Sequence, residues 1–418
     1  MRWHVVGVVL LLGVGATACA SSIRAHSATL PSSAGSLPPS ASSPVPAVIS
    51  SASASAAGQQ PLLGPQVLDA ALFTGGHGYV LTQQALLWTD DLGATWRNVT
   101  PPGLTQSQLQ SAGIAVQRDG HEWVAIAPDA GSNSVSLLRR VSPTGGWTAT
   151  SVPLGSFTIS PDAAVTVSLS FADAENGWLL VGEQVAHTGY GELLRTTDAG
   201  TTWTLQAGES TLPTTGTLHF LTGQVGYLDA TMTGAWWATR DAGRTWTQLQ
   251  LDLPTTKTAD AVNVIGAPAF AGNVIVVATS FTTPEQGNDD GVGIYRSADN
   301  GATWSLQQLP SNTPNEQYHF AATADGSTYV LLRGQPAQDL QSFTWVTSRS
   351  TNRGETFMDA SNVFDFYSGP LTVADPDNLW TLGGANGCKG FKSDCWNTTG
   401  LIASKNGGNT WHQVDLPK

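Results

Sequence analysis

The feature that most constrains this chain is a short pattern, Ser/Thr-x-Asp/Asn-x-Gly-x-Thr-Trp/Phe, that keeps returning. Its copies occupy 89–96, 196–203, 239–246, 297–304, 350–357 and 404–411. A worn copy, Ser142-Pro143-Thr144-Gly145-Gly146-Trp147, falls between the first two. Each copy reads as a tight turn. Asp91, Asp198, Asp241, Asp299, Asn352 and Asn406 are short acceptors for their own turn's N–H groups. Gly93, Gly200, Gly243, Gly301, Gly354 and Gly408 permit positive φ. Trp96, Trp203, Trp246, Trp304, Phe357 and Trp411 then open a strand and offer a large apolar body to a core.

A second element lies upstream of each turn. It is a short strand, often entered through Gly and an aromatic, as in Gly78-Tyr79-Val80-Leu81, Gly177-Trp178-Leu179-Leu180 and Leu379-Trp380-Thr381-Leu382. Trp123, Trp178 and Trp380 sit there, and Trp147 with five of the turn aromatics brings nine of the 15 Trp into these two positions. The Trp are therefore packing devices before they are ligand platforms. A repeat of about 50 residues with about four short strands is the signature of a propeller blade. Residues 62–418 hold seven such units, which predicts an all-β fold. The expected architecture is one seven-bladed β-propeller of four-stranded antiparallel blades, with six blades as the alternative because the second copy is worn.

The turns resemble the Asp-box, or BNR, repeat of sialidases, sortilin-type receptors, xyloglucan-cleaving enzymes and photosystem II assembly-factor-like propellers. The resemblance spans about residues 66–418. It implies a propeller with each box between the third and fourth strands of a blade. In those families the box is structural, so it carries the fold and not the activity.

The N-terminus has Arg2, an apolar run over residues 5–14 and small residues up to Cys19. One cation, a short apolar core and a small-residue cut site make an export signal, 1–18. The run is shorter than the ~20 residues that span a bilayer. Ala16-Thr17-Ala18-Cys19 resembles a bacterial lipobox, which implies lipidation of Cys19 and a membrane anchor; simple secretion is the alternative. Residues 19–61 are mostly Ser, Ala, Pro, Leu and Val, without an apolar period. Such a segment reads as a disordered tether, reaching about 35 Å for ~40 residues.

Composition narrows the function. With 18 Lys+Arg against 31 Asp+Glu, the net charge is -13, which excludes a nucleic-acid backbone as ligand. The sialidase branch of the resemblance implies three Arg around a carboxylate and an Arg-Ile-Pro motif, and no Arg-Ile-Pro occurs. Arg97, Arg195, Arg240, Arg244, Arg296 and Arg353 lie in or beside turns, leaving Arg118, Arg139, Arg140, Arg333 and Arg349 as candidates. No nucleophile motif, phosphate loop or His spacing for a metal is present. No cofactor is expected.

If the boxes mark one face, the loops between second and third strands mark the other. The long ones are 182–191, 279–291, 334–343 and 383–400. Long loops on a rigid scaffold are where binding concentrates. Candidate contacts are Tyr190, Glu285, Asp289, Asp290, Arg333, Phe391 and Trp396. Glu285, Asp289 and Asp290 are also a candidate Ca²⁺ set. Cys388 and Cys395 read as a disulfide in an exported chain. The expectation is a monomeric binding or assembly module outside the cytoplasm, meeting an envelope protein or glycan. A glycoside hydrolase is the alternative.

Overall fold

The computed structural model describes residues 64–417, apart from short segments at 118, 130, 143–144, 156–158, 161–163, 186–187, 209–211, 214, 231–234, 250, 253–260, 266–267, 272–273, 283–288, 300, 310–315, 324, 337–342, 365–366 and 390–393. The strands form seven antiparallel sheets, each a meander of consecutive strands. They cover 67–98, 113–153, 164–207, 217–248, 261–309, 317–364 and 367–413, numbered here as blades 1 to 7. The fold is a seven-bladed β-propeller with one five-residue helix, Gln106–Gln110, among the described residues. Blade 2 has its four strands despite its worn turn. Blade 5 splits its inner position between Ala261–Val264 and Ala269–Ala271, both paired to the next strand.

The repeated turn closes on itself as its residues require. Asp91 Oδ1 accepts Thr95 N–H at 2.8 Å, Asp91 Oδ2 accepts the Thr95 hydroxyl at 2.6 Å, and Gly93 N–H reaches Thr89 Oγ1 at 3.0 Å. The same bonds recur around Asp198, Asp241 and Asp299, while Asn352 and Asn406 accept the Thr N–H through Oδ1 and donate their amide N–H to the Thr hydroxyl. The residue before the turn glycine is also left-handed, a feature not visible in the pattern. Leu92, Ala199, Ala242 and Arg353 have φ between 59° and 65°, and Gly407 holds the fifth such position. Their geometry has a cause. The N–H of Leu92, Ala199, Ala242 and Gly407 donates to the carbonyl of Gly76, Glu175, Gln224 and Asp377, in the first hairpin of the same blade.

Aromatic rings join successive blades. Trp123 of blade 2 stacks on Phe171 of blade 3 at 3.7 Å, and Trp178 of blade 3 stacks on Phe220 of blade 4 at 3.6 Å. Each Phe meets the next turn Trp edge-on, Trp203 and Trp246 respectively. Each stacked indole also donates forward, Trp123 to Ala199 O and Trp178 to Ala242 O. The ring closes between blades 7 and 1 by packing rather than by an exchanged strand. Leu72, Val80 and Leu87 share a core with Trp380, Leu382 and Leu401, and Leu72 N–H donates to Thr372 Oγ1 at 3.2 Å.

Candidate functional site

A meander puts the first and third turns of every blade on one face and the middle hairpins, with the connections between blades, on the other. The first is called here the turn face and the second the hairpin face. The two differ in regularity. In blades 1 and 4 the middle strands are five residues or fewer, Gly78–Thr82, Leu86–Thr89, Gly226–Ala230 and Ala235–Thr239. In blade 3 they are Gly177–Val185 and Thr188–Thr196. In blades 5 and 6 they are Val274–Thr282 with Asp289–Ser297 and Tyr329–Pro336 with Phe343–Ser350. Blade 7 has the longest, Leu379–Lys389 and Asp394–Ser404.

These segments correct one expectation. The described residues of the stretches read as long loops are mostly paired strand, continuing the ladders of the middle strands. In blade 7 pairing continues to Lys389 opposite Asp394. Cys388 stands directly opposite Cys395, and Trp396 opposite Gly387. Tyr190 pairs with Glu183, and Asp289 with Thr282, with Asp290 next to it. Phe391 and Glu285 lie outside the described residues, as do Cys19 and the tether. Among the described residues no three His, Cys, Asp or Glu gather as a metal site.

The arginines left as candidates are held by the scaffold. Arg333 donates to Ser348 Oγ at 3.0 Å and Asp359 Oδ2 at 2.5 Å, within blade 6. Arg139 donates to Ala199 O and Thr201 Oγ1 of blade 3, and Arg349 to Pro376 O of blade 7. Arg139 and Arg349 are thus staples between neighbouring blades on the turn face. Arg140 makes a bidentate pair with buried Glu122 and lies 5.6 Å over Trp147. Burial pushes the Glu122 carboxyl up, and Arg140 opposes it. Arg140 is opposite Glu122 in the ladder. That is the end-of-strand position held by Thr89 and Thr196 in blades 1 and 3, opposite Gly78 and Gly177. The ion pair thus stands where blade 2 lacks the repeated turn. Arg118 lies outside the described residues.

Three buried acids lie toward the hairpin face. Glu192 accepts Gly155 N–H at 2.6 Å, and Glu183 accepts both the N–H and hydroxyl of Ser160. These carboxylates clasp the connection from blade 2 to blade 3. Glu316 accepts the Tyr318 hydroxyl at 2.8 Å. At the turn-face end of the inner strands, a cavity of about 410 Å³ is lined by Leu72, Phe73, Pro268, Phe320, Leu371 and Val373, among others, and by no charged side chain.

A second cavity, about 400 Å³, opens on the hairpin face at blade 2. Its walls are the outer half of blade 2 and the helix Gln106–Gln110. Thr105 caps that helix: its hydroxyl accepts Gln108 N–H, and Gln108 Oε1 accepts Thr105 N–H at 3.0 Å. The Thr-x-x-Gln spacing of a capping box was legible in the sequence and would have located this wall. Ser132, Ser134, Ser136, Thr150 and Ser151 line the cavity, with Asp129 at its rim.

Comparison with known proteins supports the fold. No protein-family model matches the chain. A xyloglucanase of Paenibacillus sp. is 24% identical over 260 residues, 54% of this chain but only 23% of the relative. The chain thus spans about a quarter of the length of the curated relative it matches. Among solved structures, the GH74 xyloglucanase of Xanthomonas campestris has a TM-score of 0.50 at 12% identity, covering 85% of this chain and 68% of that one. YCF48 bound to D1 peptide has a TM-score of 0.41 at 18% identity, covering 72% and 82%. At these identities the likeness is one of fold.

Proposed function

We propose that this chain is an exported, lipid-anchored Asp-box propeller that binds an envelope protein or glycan through its hairpin face. The observation that carries the reading is the unequal growth of the blades. The repeated turns all close alike on one side, whereas blades 3, 5, 6 and 7 raise extended hairpins on the other. A scaffold alone has no need of them. Paired strands hold their tips more rigidly than loops would, which lowers the ordering cost of binding. The Cys388–Cys395 register suits a disulfide, because directly opposed Cα atoms lie ~4.5–5.5 Å apart, inside the range such bonds need. Such a link would close the 388–395 segment, with Trp396 next to it in sequence. Mass mapping without reductant should find the two cysteines joined, and free thiols would remove this support.

Capture from the native envelope, run beside a glycan array, tests the reading. Partner enrichment by the parent chain and its loss when the blade 7 hairpin is shortened support it; a chain that enriches nothing on either platform overturns it. Cys19→Ala should release the protein from membranes, and retention would reject the anchor.

The xyloglucanase similarity favours a second reading, a glycoside hydrolase. Such an enzyme needs two carboxylates poised at the substrate. Glu183 and Glu192 are committed to backbone N–H groups, and the turn-face cavity is uncharged. Release of reducing ends from xyloglucan by the full chain would establish this reading over the first.

A further inference from the structure

The cavity beside blade 2 is polar but holds no cation. Its polar lining is hydroxyl groups, the Gln108 amide and one carboxylate, and no Lys or Arg is among its walls. Asp129 is exposed at the rim, and Ser136 and Ser151 are exposed within it. Hydroxyl oxygens accept from an ammonium or guanidinium group, which carries only donors. A carboxylate that no internal cation neutralises adds a charge-assisted bond. The volume falls within the usual range for a ligand pocket, enough for a long side chain and the backbone that carries it.

The face around the cavity has the same sign. Asp129, Asp252, Asp289, Asp290, Asp394 and Asp415 are placed on it by their positions at hairpins and connections. Lys389 is the basic residue placed there among the described residues, with Arg333 further in and already held by Asp359. The turn face is different. Its carboxylates stand among Arg97, Arg139, Arg195, Arg240, Arg296 and Arg349, and share the same turns and strand ends. Among the described residues, the hairpin side therefore carries fewer cations beside its acids than the turn side does. A one-signed face around a concave site focuses its field on an approaching counter-charge.

From these observations we propose that the blade 2 cavity is a receptor for a Lys or Arg side chain of a basic protein segment, drawn in by the acidic hairpin face. This deepens the binding reading above and rests on it. The cavity lies between blade 2 and the helix that follows blade 1, whose middle strands are short. The segment would enter there, with its cation against Asp129 and the Ser134, Ser136 and Ser151 hydroxyls.

The test is titration of the full-length mature chain with a labelled Lys/Arg-rich decapeptide. A Glu-rich decapeptide and a neutral glucan oligosaccharide serve as counter-probes. Affinity for the basic peptide should fall at least tenfold from 50 to 300 mM salt, and at least tenfold in Asp129→Lys. Glu175→Lys, an equal charge change on the exposed turn face, should alter it less than twofold. Ser136→Leu, which fills the cavity without changing charge, should also weaken binding several-fold. Equal losses from Glu175→Lys and Asp129→Lys would reduce the effect to net charge and overturn the proposal. So would oligosaccharide binding that Ser136→Leu abolishes and the basic peptide does not compete. If basic peptides fail while hairpin shortening still abolishes envelope capture, this inference falls and the binding reading stands.

Discussion

The turn face and the hairpin face of this propeller are built from the same strands, yet they obey different rules. On the turn face six blades repeat one solution, and blade 2 sets the Glu122–Arg140 pair in its place. A Ser or Thr and an Asp or Asn close the turn, a left-handed pair bends it, and Arg staples reach the next blade. On the hairpin face the blades diverge in length, cysteine content and charge. Repetition of a turn reflects a demand common to all blades, which is packing around a ring. Divergence reflects a demand on the whole face, which is recognition of something outside it.

That contrast can be broken most forcefully at the ring's packing. Trp178→Ala removes a stacked, fully buried indole and its bond to Ala242 O, and should cost about 3–5 kcal/mol in chemical denaturation. A loss under about 1 kcal/mol would mean that the rings do not hold blades 3 and 4 together. Next comes the ion pair of blade 2. Glu122→Gln leaves Arg140 buried without its counter-charge and should cost about 3 kcal/mol. An unchanged midpoint would show that the pair does not replace the missing turn.

Acid sharpens the comparison further. Burial takes His219, on the inner strand of blade 4, down to about 4 from the ordinary 6.5. As pH falls below 6.5 the unfolded chain binds a proton that the folded chain refuses, so stability should fall between pH 6.5 and 4. His219→Leu should flatten that limb, and an unaltered slope would assign it to other groups. The turn acids act lower. Bonds from Thr95 take Asp91 down to about 2, and bonds from Thr303 do the same for Asp299. Their contribution is complete above the unfolded value of 3.8 and is lost as pH falls toward about 2.

The smallest effect has the opposite sign. Arg353 is exposed and left-handed, so Arg353→Gly should stabilise by about 0.5–1 kcal/mol. A destabilised variant would show that the arginine side chain contributes more than its backbone strain costs.

Much of the ring was legible in the chain, because the turn needs particular residues at fixed offsets. Asp91, Gly93 and Trp96 and their counterparts appear where the geometry requires them. Blade 2 was partly hidden, since Glu122 and Arg140 are 18 residues apart in sequence and meet only through the ladder. The left-handed position before each glycine was also hidden. Leu92, Ala199, Ala242 and Arg353 share no side-chain chemistry, and the first three donate to a carbonyl in another hairpin of the blade. On the hairpin face, the sequence marked length and the paired cysteines but mistook strand for loop. The fate of Arg139, Arg333 and Arg349 depended on acceptors distant in the chain.

The central claim, that the hairpin face recognises and the turn face supports, is tested most directly by replacing residues 385–398 with a two-residue turn joining the paired Gly384 and Thr399. Envelope capture and thermal unfolding should be measured on the same preparation. The account predicts lost capture with an unfolding midpoint within a few degrees of the parent. Capture at the parent's level by the shortened chain would contradict it.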